Sequence, residues 1–301
     1  MVRYKPFADR TPDTQYQNLL SLIRDRGEEV DTQQEYPAKK WIGYPMRFPL
    51  ENGFPLVTER DLIAPPSQFR SAVAELCAFL NGAETLEEMQ RFGCGWWAQW
   101  VTAEKCSKRG LPPGDLGPGS YGPAWRRFPT SEGAPFDQIT ALLDQIKELP
   151  HLRTLRVSNW IPQYIPRGKG RVQKVVVVPC HGDFHVHINT RTREMTLVHV
   201  QRSGDSPVGL VFNLIQYGAL LLMLAQVTGY LPKELVYFVD DAHIYVKQMD
   251  AVERLLAAKP MALPTVLIDP EVRDLFAFRP EHFQVSDYYP ENGRMTIWTP
   301  V

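Results

Sequence analysis

A cysteine and a histidine stand side by side in V-P-C-H, residues 178–181. A thiolate is a strong nucleophile near neutral pH, and a nearby cation raises its population. Free cysteine is also among the most buried residue types, so Cys180 reads equally as a small core hydrophobe. Three further stretches bear on that choice. In Q-R-S-G-D, residues 201–205, the guanidinium fork of Arg202 and the hydroxyl of Ser203 match phosphate oxygens, or they line a solvated turn. Arg202 would also lower the pKa of a neighbouring thiol. Asn213 lies in the apolar start of a helix, where a buried amide must find partners. Its one acceptor and two donor hydrogens suit the edge of a pyrimidine ring. In D-D-A-H-I-Y, residues 240–245, His243 and Tyr245 are two apart and share a strand face. They can hold a sugar hydroxyl or simply satisfy each other. Together these stretches describe a pyrimidine nucleotide site with a thiol placed to attack the ring.

Two other chemistries draw on the same segment. His181, His185 and His187 would share one face of a strand, and H-x-H pairs can bind zinc, although a strand needs polar outer residues anyway. A Cys180–His181 hydrolytic dyad is disfavoured, because adjacent strand residues point to opposite faces. A metal-free site is therefore the expectation.

The elements that must position these residues follow from hydrophobic period. Helices are expected over 14–27, with Tyr16, Leu19, Leu20 and Ile23 on one face, and over 67–81, ended by Asn81-Gly82. Further helices are expected over 136–148, 212–229 and 248–257. Residues 40–59 read as short strands broken by Pro45, Pro49, Gly53 and Pro55, and 109–123 as a long Gly/Pro loop. Strands are expected over 153–160, 172–179, 183–190, 195–202 and 235–245; the β-branched run Val175–Val178 would be a buried strand leading into Cys180. Mixed runs of strands and helices make the class α+β.

The bulk numbers set the frame. The 301 residues, 44 % hydrophobic and 22 % charged, allow one large domain or two small ones. A net charge of −1 gives no electrostatic footprint for nucleic acid and no polybasic membrane patch. Cysteines 77, 94, 106 and 180 form no C-x-x-C pair, which suits a reducing compartment, and residues 1–10 hold no apolar signal region, so a cytoplasmic location is expected. Ser206–Pro232 carries no charge, but Asn213, Gln216, Gln226 and Thr228 interrupt it, so it reads as a helix buried in a core rather than a membrane span.

P-C-H at 179–181, Q-R-S-x-D at 201–205, G-L-x-F-N at 209–213 and D-A-H-I-Y at 241–245 resemble, in order and spacing, the thymidylate synthases and the related pyrimidine nucleotide hydroxymethylases. M-R-F-P-L-E-N-G-F-P-L-V-T at 46–58, A-E-L-C-A-F-L-N-G at 74–82, D-L-G-P-G-S-Y-G-P-A-W-R at 115–126 and D-Q-I-T at 137–140 extend the resemblance upstream. It implies one domain over 1–301, with a mixed β-sheet packed by helices and one sheet face forming a homodimer interface. It also implies transfer of a one-carbon unit from 5,10-methylenetetrahydrofolate to C5 of a pyrimidine nucleoside monophosphate, through a thiolate adduct at C6. By resemblance Cys180 is the nucleophile. Glu75 moves protons at the C4 substituent, and Tyr121 supports removal of the C5 proton. Asn213 reads the ring edge, His243 and Tyr245 the ribose, Arg202 and Ser203 the phosphate. Arg153 would reach the partner subunit's phosphate site. Asp205 would hold the pterin, and Trp97, Trp100, Gly209 and Phe212 would line the folate site.

Several positions depart from that pattern. Thr154 stands where a second phosphate arginine is usual, and Gln33 falls where an R-T-G-T-G loop supplies another, which leaves Lys39, Lys40 or Arg156 as substitutes. Ala98 and Gln99 replace two acids of the tryptophan segment, Val239-Asp240 a glycine pair, and the end T-I-W-T-P-V differs from the usual closing tail. A looser closure would let water capture the exocyclic methylene, so the expected product is the hydroxymethyl nucleotide of CMP, dCMP or dUMP. Reductive methylation of dUMP and a silent nucleotide-binding homologue are the alternatives. An amide can turn either end toward the base, so Asn213 leaves uracil and cytosine both open.

Overall fold

The computed structural model describes residues 2–300. The chain runs α1 (Gln15–Arg26), β1 (Glu28–Val30), β2 (Ala38–Pro49), α2 (Gln68–Leu80), α3 (Leu86–Arg91), α4 (Ala103–Ser107), α5 (Tyr121–Arg126) and α6 (Gln138–Glu148). It continues with β3 (Arg156–Val157), β4 (Asp183–Asn189), β5 (Glu194–Asp205), α7 (Gly209–Thr228), β6 (Leu231–Tyr245), α8 (Met249–Ala257), β7 (Thr265–Ile268) and β8 (Phe283–Ser286). Six strands form one mixed sheet in the order β1-β2-β6-β5-β4-β3, and β7-β8 form a separate pair. Only β5 and β6 run parallel in the large sheet, and α7 is their crossover. The class is α+β.

The helices form where the apolar spacing places them. Tyr16, Leu19, Leu20 and Ile23 of α1 are buried. Ser67 caps α2 by accepting the Arg70 N–H, and Gly82, at φ +80°, follows its end. Helix α7 is long and apolar enough to cross a membrane, yet 83 % of its most apolar window is buried inside the fold. It lies at the centre of one continuous apolar core that reaches from Tyr16 to Met295.

Residues of the sheet alternate as the pleat requires. Met195, Leu197, Leu235, Tyr237 and Val239 face the helices and are buried. Val198 and Val236 on the other face are half-buried, and the paired Val200 and Phe238 are 40 % and 37 % exposed.

Three expectations are corrected. Residues 40–59 do not break into short strands: β2 is one 12-residue strand. It pairs with β1 only through Ala38–Lys40, so beyond that it is an edge, where Pro45 and Pro49 need no N–H partner on one side. The strand expected over 153–160 shrinks to Arg156–Val157. The run 172–179 is not a strand. It threads between loops, with Val176 N–H on Leu116 C=O, Lys174 N–H on Tyr164 C=O and Gly119 N–H on Lys174 C=O. Val175 and Val176 are buried against these loops, and Cys180 therefore ends an irregular segment. The 109–123 loop holds as expected until α5 begins at Tyr121.

Candidate active site

Cys180 is held by its backbone from two sides. Its N–H donates to the Tyr121 hydroxyl at 2.9 Å, and its C=O accepts from Ser203 N–H at 3.3 Å. Arg202, near the end of β5, donates through Nε to Pro179 C=O at 3.0 Å and places Nη2 3.5 Å from Cys180 Sγ. Gly182 turns the chain at φ +111°, where a Cβ would meet the Asn159 side chain. The other three cysteines are fully buried, whereas Cys180 is partly exposed. Burial pushes its thiol above the ordinary value, with Arg202 pulling down and Asp241 pushing up. The expected lowering by Arg202 thus operates, but desolvation outweighs it.

His181 does not pair with the thiol. Its Nδ1 lies 2.8 Å from the Tyr217 hydroxyl, its ring stacks on Tyr121 at 4.4 Å, and burial lowers its pKa to about 3. It precedes β4, whereas the rings of His185 and His187 lie 4.1 Å apart on that strand, so the three imidazoles do not converge. Among the described residues no group of three or more His, Cys, Asp or Glu is placed to hold a metal ion.

Glu75 anchors a second cluster, on α2. It is 7 % exposed, and burial raises its carboxyl pKa while its donors oppose the rise. Trp96 Nε1 donates to its Oε1 at 2.8 Å, Trp97 Nε1 donates to the same oxygen, and Gln216 Nε2 donates to Oε2. From Gln216 a chain of amides leads on: Asn213 Nδ2 donates to Gln216 Oε1 at 2.8 Å, and Gln201 Nε2 donates to Asn213 Oδ1 at 2.9 Å. The Tyr237 hydroxyl donates to Gln201 Oε1. Glu75 and Asn213, far apart in sequence, are therefore joined in one buried network.

The strand ends supply a third cluster. His243 Nδ1 lies 3.4 Å from Asp241 Oδ1, and its ring meets Tyr245 edge-on at 5.2 Å. Lys40 stands opposite His243 in register on β2, and Asp205 opposite it on β5. Asp205 accepts from Gln248 Nε2 at 2.9 and 3.0 Å and from Thr299 Oγ1 at 3.3 Å, while burial raises its pKa. Gln248 also donates to Trp298 C=O at 2.9 Å, so the C-terminal segment is seated on Asp205 rather than loose.

The remaining candidates divide. Trp97, expected along a folate, is buried beside Phe79 and spends its N–H on Glu75. Trp96, not singled out, is half-buried, with its ring 5.1 Å from Phe212. Trp100 faces Lys105, whose Nζ is 5.1 Å from the ring. At Gly209, where α7 begins, an added Cβ would meet nothing within 4 Å, so contacts do not demand glycine there. Arg153 is exposed and has no side-chain partner among the described residues. Of the substitutes for the absent arginines, Lys39 is spent on Arg24 C=O at 2.8 Å, and Arg156 stands opposite His185 on β3. Lys40 alone adjoins the Asp241–His243 pair. The cation beside Gln33 is instead Arg167, with Nη2 2.6 Å from Gln33 Oε1.

Sequence reasoning missed Arg60, Gln201, Gln216, Tyr237 and Trp96. Arg60 is 1 % exposed, lies 5.9 Å over the Phe212 ring and leaves Nε and Nη2 without partners. The only signal for Gln216 was an amide three residues beyond Asn213 in an uncharged helix. A cavity of about 400 Å³ lined by Leu222, Tyr230, Ile268 and His282 contains none of these groups. A family model described as thymidylate synthase matches residues 14–297.

Proposed function

Since the chain belongs to the thymidylate synthase family, we propose that it hydroxymethylates C5 of a uridylate or cytidylate through a Cys180 adduct, as a single-domain enzyme. The family carries out folate-dependent one-carbon transfer to C5 of pyrimidine nucleotides, with methylenetetrahydrofolate as cosubstrate. The observation that carries the reading is the junction of Cys180, Arg202, Ser203 and Tyr121 at one loop.

In this reading Arg202 stabilises the thiolate and, with Ser203, accepts the phosphate; Arg167 brings a second cation from beside Gln33. Addition at C6 moves negative charge onto the C4 substituent. Glu75, whose carboxyl pKa burial raises, supplies a proton there. Asn213 contacts the ring edge, and His243 and Tyr245 take the ribose. The neutralised C5 nucleophile attacks the one-carbon unit; loss of the C5 proton, supported by Tyr121, releases tetrahydrofolate and leaves an exocyclic methylene, water adds to that carbon, and Cys180 leaves C6 as the ring double bond re-forms. The folate supplies that carbon at the oxidation level of formaldehyde. The orphaned buried donors of Arg60, with Phe212, Trp96 and Asp205, fit such a polar, flat cosubstrate.

Ala98 and Gln99 in place of two acids favour capture of the exocyclic methylene by water. The seated tail speaks for the second reading, reductive methylation of dUMP, because a closed site excludes that water. The homodimer belongs to the same proposal. The uncovered Val200–Phe238 face has the apolar character of an interface, and the unpaired Arg153 is free to reach a partner's site. The test is a product assay by mass spectrometry, with methylenetetrahydrofolate and, separately, CMP, dCMP, UMP and dUMP. A hydroxymethyl nucleotide with tetrahydrofolate supports the proposal; a methyl nucleotide with dihydrofolate selects the second reading; no product overturns both.

A further inference from the structure

One stretch of the chain carries positive charge with nothing to balance it. From Leu149 to Gly182 there is no Asp or Glu, while Arg153, Arg156, Arg167, Lys169, Arg171 and Lys174 are present. Among the described residues none of these cations forms an ion pair. Three of them, Arg167, Lys169 and Arg171, lie in a tight hairpin, closed where Arg171 N–H donates to Gly168 C=O at 3.1 Å. Residues 166–172 are all exposed, and a Cβ on Gly168 or Gly170 would meet nothing within 4 Å, so the tip stands clear of the fold. Its foot is fixed. Lys174 N–H donates to Tyr164 C=O at 2.9 Å, and Lys174 C=O accepts from Gly119 N–H at 3.1 Å, just before Tyr121. From there the chain runs directly to Cys180.

One contact aims the hairpin at the site. Arg167 Nη2 donates to Gln33 Oε1 at 2.6 Å, in the turn that leads into β2 where Ala38 pairs with Tyr245. An amide oxygen is a neutral partner, and the charge-assisted bond of a guanidinium to a phosphate oxygen is about twice as strong. Arg109, which follows α4, adjoins Arg167: burial lowers the Arg109 pKa, and the Arg167 charge lowers it further. Like charges without a counter-ion gain from an anion beside them. The motifs that place Arg202 and Ser203 do not include this hairpin. We infer that residues 166–171 form a phosphate-capture arm: Arg167 exchanges the Gln33 oxygen for the nucleotide 5′-phosphate, and Lys169 and Arg171 supply the positive potential that draws the anion in. The inference rests on the proposed nucleotide site and adds to it an element that moves onto the ligand.

Limited trypsin digestion of the full chain, read by mass spectrometry, follows the arm itself, because Lys169 and Arg171 are exposed cleavage sites. The ligand is whichever of UMP, dUMP, CMP and dCMP binds tightest by titration calorimetry. At saturation it slows cleavage after Lys169 and Arg171 about tenfold or more. Cleavage after Arg191, in the exposed turn that follows β4, is unchanged. Arg167→Met weakens the nucleotide about tenfold or more and, at its own saturation, shows no protection of the arm; Arg167→Lys recovers part of both. Lys169→Glu combined with Arg171→Glu slows nucleotide association about tenfold at low salt, and the difference vanishes near about 1 M salt. A nucleotide that binds without protecting the arm, equal protection at Arg191, protection by methylenetetrahydrofolate alone, or unchanged affinity in Arg167→Met overturns the inference and leaves the nucleotide site standing. Binding of none of the four nucleotides sinks that site, and the inference with it.

Discussion

Replacing Arg202 by methionine tests how the Cys180 thiol is controlled. The guanidinium Nη2 lies 3.5 Å from Sγ, and its charge lowers the pKa of this thiol. Two unit charges about 4 Å apart attract by about 4 kcal/mol at an effective dielectric near 20. Arg202 is exposed, so solvent screens much of that, and roughly 1.4 to 2.7 kcal/mol remains. A cation favours the thiolate, so it lowers the pKa, and its removal must raise it. The thiol is already raised by burial, so Arg202→Met moves it further up. The assay is the pH profile of iodoacetamide alkylation at residue 180, read by peptide mass spectrometry; Cys77, Cys94 and Cys106 are buried and serve as silent controls. At pH 8 the alkylation rate falls about 10- to 100-fold in Arg202→Met. Arg202→Lys keeps the charge and recovers part of the rate. An unchanged or lower midpoint in Arg202→Met refutes the electrostatic argument.

Further outcomes follow from the same geometry. Glu75→Gln offers one acceptor oxygen where three donors now converge and cannot supply the proton at C4, so kcat falls about 10²- to 10⁴-fold while the protein melts cooperatively; near-normal turnover contradicts the role of Glu75. His181, with its pKa lowered to about 3, stays neutral at pH 5 in a ring-nitrogen NMR titration. Unfolding exposes it to its ordinary value near 6.5, so its contribution to stability is full above that pH and is lost as pH falls toward 3, at about 1.4 kcal/mol per unit; an imidazolium signal at pH 5 contradicts the burial. Phe238→Lys puts a charge in the uncovered sheet face, and sedimentation should show a wild-type dimer converted to monomer; a monomeric wild type removes the interface.

How far residue order alone revealed this molecule depends on what each residue answers to. The amphipathic stripe of α1 and the uncharged run of α7 could be read because burial there follows a local period. Val175–Val178 misled because β-branched residues suit any buried, extended backbone, and here the neighbours are loops rather than strands. Pro45 and Pro49 misled in the other direction, since only the pairing of β2 reveals that they lie on a free edge. In the site, Cys180, Glu75 and Asn213 stood out through short motifs. Gln201 and Gln216 did not, because an interior amide is defined by the partners it finds, and those come from α2, α7, β5 and β6.

The most direct test of the central claim is exchange of the pyrimidine C5 proton in D₂O, followed by proton NMR of the four nucleotides with and without methylenetetrahydrofolate. Reversible addition of Cys180 at C6 makes C5 nucleophilic and exposes its proton to solvent, so H5 of one nucleotide should be replaced by deuterium with wild type and retained with Cys180→Ala. Retention of H5 in all four nucleotides with wild type, or exchange that persists in Cys180→Ala, would contradict the account.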